Sequence, residues 1–243
     1  MPASLSPRCR PLRSICRATL ILLLALAAPA IARTPATPAD PPPGAVSSPA
    51  WEQDMRRFAE AEAADPPPRN AVLFVGSSSI RLWDGLAQDF AGTPVINRGF
   101  GGSEIRDSTW YADRIVIPHA PRTVVLYAGE NDLASGRSPA QVQADFRAFV
   151  ERVRRDLPDT RIAFIAIKPS PSRAHLLQAV QEANARVRAE AARWDGVDFI
   201  DVFTPMLGAD GQGRAELFGP DLLHMNAEGY ALWREAIAPY LRP

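Results

Sequence analysis

Ala71-Val72-Leu73-Phe74-Val75-Gly76-Ser77-Ser78-Ser79, continuing into Ile80-Arg81-Leu82-Trp83, is the stretch whose reading decides the fold. Five apolar residues in a row, with no polar alternation, indicate a strand buried on both faces. A glycine and three serines end it, and helical spacing begins at Ile80 and continues to residue 90. The same order of apolar run, turn and helix recurs downstream. Runs rich in Val, Ile and Phe occupy 94–97, 123–127, 161–167 and 197–203, and helical spacing follows at 139–157, 173–194 and 227–241. Strands alternating with helices predict a three-layer α/β/α sandwich, its mostly parallel sheet built of about five strands.

Upstream, residues 51–64 carry Trp51, Met55, Phe58 and Ala59 at helical spacing, and Pro66-Pro67-Pro68 stops that helix. Residues 33–50 are mainly Pro, Ala, Thr and Ser; they bury too little apolar surface to offset ordering, and read as a flexible linker. Before them, Arg8, Arg10, Arg13 and Arg17 precede the apolar run 18–32, which ends in Ala30-Ile31-Ala32. Basic start, short apolar core and small residues form a secretory signal peptide over 1–32. The run falls short of the roughly 20 residues a bilayer span needs; an uncleaved anchor is the alternative. The expected organisation is therefore signal 1–32, linker 33–50 and one domain over 51–243, in the periplasm or outside the cell.

The chain balances 27 basic against 27 acidic residues. Removal of 1–32 takes away four Arg and both cysteines, leaving a formal charge of −4. Such a domain has no disulfide or thiolate chemistry, and no basic surplus for a phosphate backbone, so no nucleic-acid partner is expected.

In parallel sheets ligands bind beyond the carboxyl ends of the strands. After the first strand, Gly76-Ser77-Ser78-Ser79 presents a serine on a tight strand-to-helix turn; helix capping would use the same residues. After the second, Asn97-Arg98-Gly99-Phe100-Gly101-Gly102-Ser103 can aim backbone N–H groups at an anion. Its spacing fits neither a dinucleotide fingerprint nor a P-loop. After the third, Gly129-Glu130-Asn131-Asp132 offers an asparagine amide to developing negative charge, or forms an Asx-turn. Near the C-terminus, Asp221-Leu222-Leu223-His224 can set a carboxylate against an imidazole. His119, between Pro118 and Pro121, reads as structural, and His175 as exposed.

Taken together and in this order, these blocks resemble the SGNH/GDSL-type serine hydrolases, a family of esterases and lipases. The resemblance runs from about Trp51 to the C-terminus and implies a flavodoxin-like fold. It implies Ser78 as nucleophile, His224 as base and Asp221 as its orienting partner. It places the Ser78 and Gly102 N–H groups and the Asn131 side chain in an oxyanion hole. Ser77 stands where the family usually has Asp, so Ser77 and Ser79 stay open as alternative registers. No cofactor or metal is required. The implied activity is hydrolysis of acyl esters, short-chain or acetyl, through an acyl-enzyme, on an acylated glycan or a lysolipid. Acyl transfer to a glycan hydroxyl and silent acyl or glycan binding are the alternatives. Trp83, Phe100, Trp110 and Tyr127 are candidates for the substrate site or for the core.

Overall fold

The computed structural model describes residues 51–241; the signal and linker segments expected over 1–50 lie outside the described residues. Five parallel strands form one sheet: β1 (Val72–Gly76), β2 (Val95–Gly99), β3 (Thr123–Tyr127), β4 (Arg161–Ile165) and β5 (Val197–Ile200), in the order β2-β1-β3-β4-β5. The helices are α1 (Glu52–Ala64), α2 (Ser78–Arg81), α3 (Leu86–Asp89), α4 (Ile105–Trp110), α5 (Ala112–Ile115), α6 (Glu130–Ala134), α7 (Pro139–Asp156), α8 (Leu177–Ala191) and α9 (Ala227–Ile237). The result is the three-layer α/β/α sandwich that the sequence predicts, with every strand pair parallel.

Two interior strands, β1 and β3, are buried along their whole length. That is why they carry unbroken apolar runs. In-register residues share a face of the sheet. On one face Phe74 packs against Trp83 and Phe90, while Tyr127 meets Trp233 of α9 at 4.7 Å between ring centres. On the other, Phe164 meets Phe146 of α7 at 5.1 Å. Trp83, Phe100 and Tyr127 are buried in this core, so among the four aromatic candidates only Trp110 is exposed, at 43%.

The helix expected over 80–90 is two short pieces, α2 and α3, because the turn-forming pair Asp84-Gly85 interrupts it. Helices α4, α5 and α6 were not legible as amphipathic segments; at four to six residues they are too short for a periodic pattern. The helix expected from 173 begins at Leu177, since Pro171 opens a 3-10 turn over Pro171–Leu176. Ala59, expected on the inner face of α1, is exposed.

Where β1 leaves the sheet, Gly76 has φ +133°, and a Cβ there would lie 1.8 Å from the Tyr127 carbonyl oxygen. The same carbonyl accepts the Ser77 N–H at 2.9 Å, and the Gly76 carbonyl accepts the Phe100 N–H at 2.8 Å. The crossing of β1 to α2 is thus pinned on both sides. Gly76→Ala combines a backbone clash with a φ that L side chains avoid. It should cost at least about 2–4 kcal/mol of unfolding free energy, measured by urea denaturation; a loss under roughly 0.5 kcal/mol would mean that the crossing yields.

Candidate active site

Of the three adjacent serines, Ser77 and Ser79 are buried and Ser78 opens into a cleft of about 570 Å³. Ser78 opens α2, with Ser77 in extended backbone ahead of it. The helix is anchored from β2: the Asn97 side chain donates to the Ile80 carbonyl at 2.8 Å and accepts the Gly99 N–H at 2.9 Å.

His224 reaches this serine from the far end of the chain, its Nε2 standing 3.0 Å from Ser78 Oγ. Its Nδ1 lies 2.6 Å from Asp221 Oδ2. The other carboxylate oxygen accepts the His224 and Leu223 N–H groups at 2.9 and 3.0 Å. These two backbone donors, and then the imidazole, hold the Asp221 carboxyl far below the usual carboxylate range. The turn is closed by the Gly219 N–H donating to the His224 carbonyl at 2.8 Å and by Leu222 at φ +53°. Asn226 then caps α9, accepting the Gly229 N–H at 3.1 Å. An ionised carboxylate on Nδ1 fixes the neutral tautomer that leaves Nε2 as the acceptor.

Gly102 sits at φ +80° and is exposed at the cleft. Neither its N–H nor that of Ser78 donates to a protein acceptor among the described residues. Asn131 completes the rim. Its Nδ2 donates to the Ser103 carbonyl at 3.1 Å, and its Oδ1 accepts from Arg173 Nη2 at 3.1 Å. Guanidinium can only donate and carbonyl can only accept, so the amide has one possible orientation. The second Nδ2 hydrogen remains available to a ligand. The cleft therefore combines a hydroxyl hydrogen-bonded to a carboxylate-oriented imidazole with three N–H groups, the equipment for attack on a carbonyl and stabilisation of the resulting oxyanion.

With this geometry, the chain matches the model of the GDSL-like lipase/acylhydrolase family over residues 74–232, well over half its length. It belongs to that family. Among solved structures it is similar in fold to a GDSL-like lipase from Bacteroides thetaiotaomicron, at 22% identity and TM-score 0.68, covering 77% of this chain and 97% of that one. It is also similar to a catalytic mutant of an acetylxylan esterase from Geobacillus stearothermophilus, at 15% identity and TM-score 0.59, covering 72% and 95%. A member of the lipolytic G-D-S-L family from Veillonella parvula aligns at 20% identity and TM-score 0.56, covering 70% and 96%. No curated protein sequence matches.

All five candidate site residues, Ser78, Gly102, Asn131, Asp221 and His224, meet at the carboxyl edge of the sheet. The His119 side chain is buried beside Glu62, and His175 is exposed, both away from the cleft. Sequence reasoning missed the residues that hold Asn131. Arg173 is one, and it also lies 3.8 Å from Glu130. Glu130 accepts the Tyr127 hydroxyl at 3.1 Å and pairs with buried Lys168, whose Nζ reaches Ser170 Oγ at 2.6 Å. Burial pushes the Lys168 ammonium pKa down and the Tyr127 hydroxyl pKa up. A lysine directly after the apolar run 162–167 was the available signal. Asp132 is another. Its two carboxylate oxygens accept the Ile105 N–H at 3.1 Å and the Gly129 N–H at 2.9 Å. One carboxyl thereby joins the Gly102 segment to the Asn131 turn. Among the described residues no group of three or more His, Cys, Asp or Glu side chains could hold a metal ion.

Burial is the main reason the Asp132 carboxyl is pushed up to about 7; neighbouring Glu104 and Asp145 add to it, while the Ile105 N–H opposes. A folded-state value above the ordinary one means that the folded chain binds this proton more tightly. The associated stability is present in acid and is lost as pH rises through about 7. Asp132→Asn removes that dependence. Wild type should therefore exceed the variant in unfolding free energy by more at about pH 5 than at about pH 8, by on the order of 2 kcal/mol. Urea titrations at both values check it; the opposite trend would mean that the two N–H donors outweigh burial.

Proposed function

We propose that this protein is a serine esterase of the GDSL-like family that hydrolyses short-chain, chiefly acetyl, esters through an acyl-enzyme on Ser78. The observation that carries the reading is the continuous line from Ser78 Oγ to His224 Nε2 at 3.0 Å and from His224 Nδ1 to Asp221 at 2.6 Å. Ser78 attacks the ester carbonyl as its proton passes to Nε2, and Asp221 stabilises the imidazolium. The oxyanion is received by the Ser78 and Gly102 N–H groups and the free Asn131 hydrogen. The imidazolium then protonates the departing alcohol. Water repeats the sequence, releasing the acid and restoring Oγ–H.

Short acyl groups follow from the cleft lining. Leu223 is the one large apolar side chain among the residues that line it, and the rest are polar, charged or glycine. A long acyl chain would find no apolar slot there. A fold neighbour that is an acetylxylan esterase agrees with this preference. Secretion remains part of the proposal through the 1–32 signal pattern. N-terminal sequencing of exported protein should give a start near Arg33; an intact Met1 in a membrane fraction would overturn it.

Ser78→Ala should remove hydrolysis of 4-nitrophenyl acetate by on the order of 10⁴ to 10⁶ in kcat, with melting temperature retained. Asn131→Ala should lower kcat by roughly 10² to 10³ with little change in KM, the mark of a contact made at the transition state. Asn131→Asp should be worse still, since a carboxylate repels the oxyanion. An active Asn131→Asp enzyme would remove Asn131 from the hole, and a dead Ser77→Ala with an active Ser78→Ala would move the nucleophile by one residue.

A further inference from the structure

The cleft around Ser78 is lined by three arginines, Arg57, Arg81 and Arg173, against one carboxylate beyond the catalytic set, Asp54. Two of the three are engaged. Arg57 pairs with Asp54 at 2.6 Å, and Arg173 donates to Asn131. The Arg81 side chain has no ion-pair or hydrogen-bond partner among the described residues, whereas Arg98, Arg114, Arg137 and Arg152 elsewhere in the domain all pair with carboxylates. Beyond residue 32 the chain is net acidic, so an unpaired cation beside the nucleophile is a local departure from the domain's charge.

Its position is fixed by the fold. Arg81 lies three residues after Ser78 on α2, so both project from one edge of the helix. Its guanidinium lies along Gly101: a Cβ at that position would stand 2.9 Å from Nε and 3.3 Å from Nη2. The missing side chain at Gly101 lets the cation rest against the backbone there, one residue before Gly102. The Trp51 indole N–H donates to the Gly101 carbonyl at 3.0 Å, which holds this loop against the start of α1, the helix that carries Asp54 and Arg57.

We infer that the natural ester carries a negative group, a carboxylate or phosphate, on its alcohol portion, and that Arg81, with Arg57 beside it, binds that group. The inference rests on the esterase reading and gives its substrate class. An acetyl group has no room for a charge, so the anion belongs to the alcohol. Guanidinium presents paired N–H donors that match carboxylate and phosphate oxygens.

The test uses matched pairs: acetylated glucuronic acid against its methyl ester, and acetylglycerol 3-phosphate against acetylglycerol. Wild type should favour the charged member of at least one pair about tenfold or more in kcat/KM, chiefly through KM. The pair that responds identifies the anion. Raising salt to roughly 0.5 M should shrink the preference. Arg81→Gln should reduce it at least about fivefold with unchanged melting temperature, and the Arg81→Gln, Arg57→Gln double variant should abolish it. Ratios near one in wild type that turns over the neutral esters would overturn the inference, as would a preference that survives in the double variant. Calorimetric binding of the same pairs to Ser78→Ala separates the two readings. Arg81-dependent binding of the charged member without wild-type turnover would keep the anion site and discard the esterase; equal binding of both members would discard the anion site.

Discussion

The site depends on how closely two backbones approach at the carboxyl edge of β1 and β3. The Tyr127 carbonyl oxygen occupies the space where any side chain at position 76 would begin. That oxygen holds the Ser77 N–H, and the Gly76 carbonyl holds Phe100. One contact therefore sets where β1 ends, where α2 starts and where the loop after β2 leaves. These are the segments that bring Ser78 and Gly102 to the same cleft. The crossing also lies where β2 and β3 flank β1 on opposite sides, the switch point at which doubly wound sheets open a crevice.

Around this crossing the fold uses buried polar groups as fixed braces. Asp132 spans the Gly102 and Asn131 segments with two backbone hydrogen bonds. Arg173 allows the Asn131 amide a single orientation. Glu130, Lys168 and Tyr127 form a buried cluster behind it. Such groups are costly to desolvate, and they persist where their geometry is specific. Ser78 itself has lighter support from a four-residue helix, with Asn97 holding its carbonyl end.

The sheet was legible because burial on both faces leaves an unmistakable run of apolar residues, as in 72–75 and 123–127. The positions of the candidate site were legible because each follows a strand or lies in one turn: Ser78 after β1, Gly102 after β2 and Asn131 after β3, with Asp221 and His224 three residues apart. The braces were not legible. Arg173 acts across 42 residues of sequence and Asp132 across 27, and no local pattern encodes which donor a side chain will meet. The split of 80–90 into two helices depended on Asp84-Gly85, whose turn chemistry competes with the apolar spacing around it. Arg81 was visible as a residue; only the packing against Gly101 shows where its charge rests.

The partners Ser78 and His224 stand 146 residues apart in the chain, so their contact is a product of the whole fold. Strand pairing here is parallel and non-local, the kind of topology that forms slowly. The His224 turn leads directly into α9, whose Trp233 packs against Tyr127 of β3. A chain in which either segment is out of place has a Ser78 hydroxyl without this imidazole partner. The Ser78–His224 contact thus reports on both ends of the domain at once.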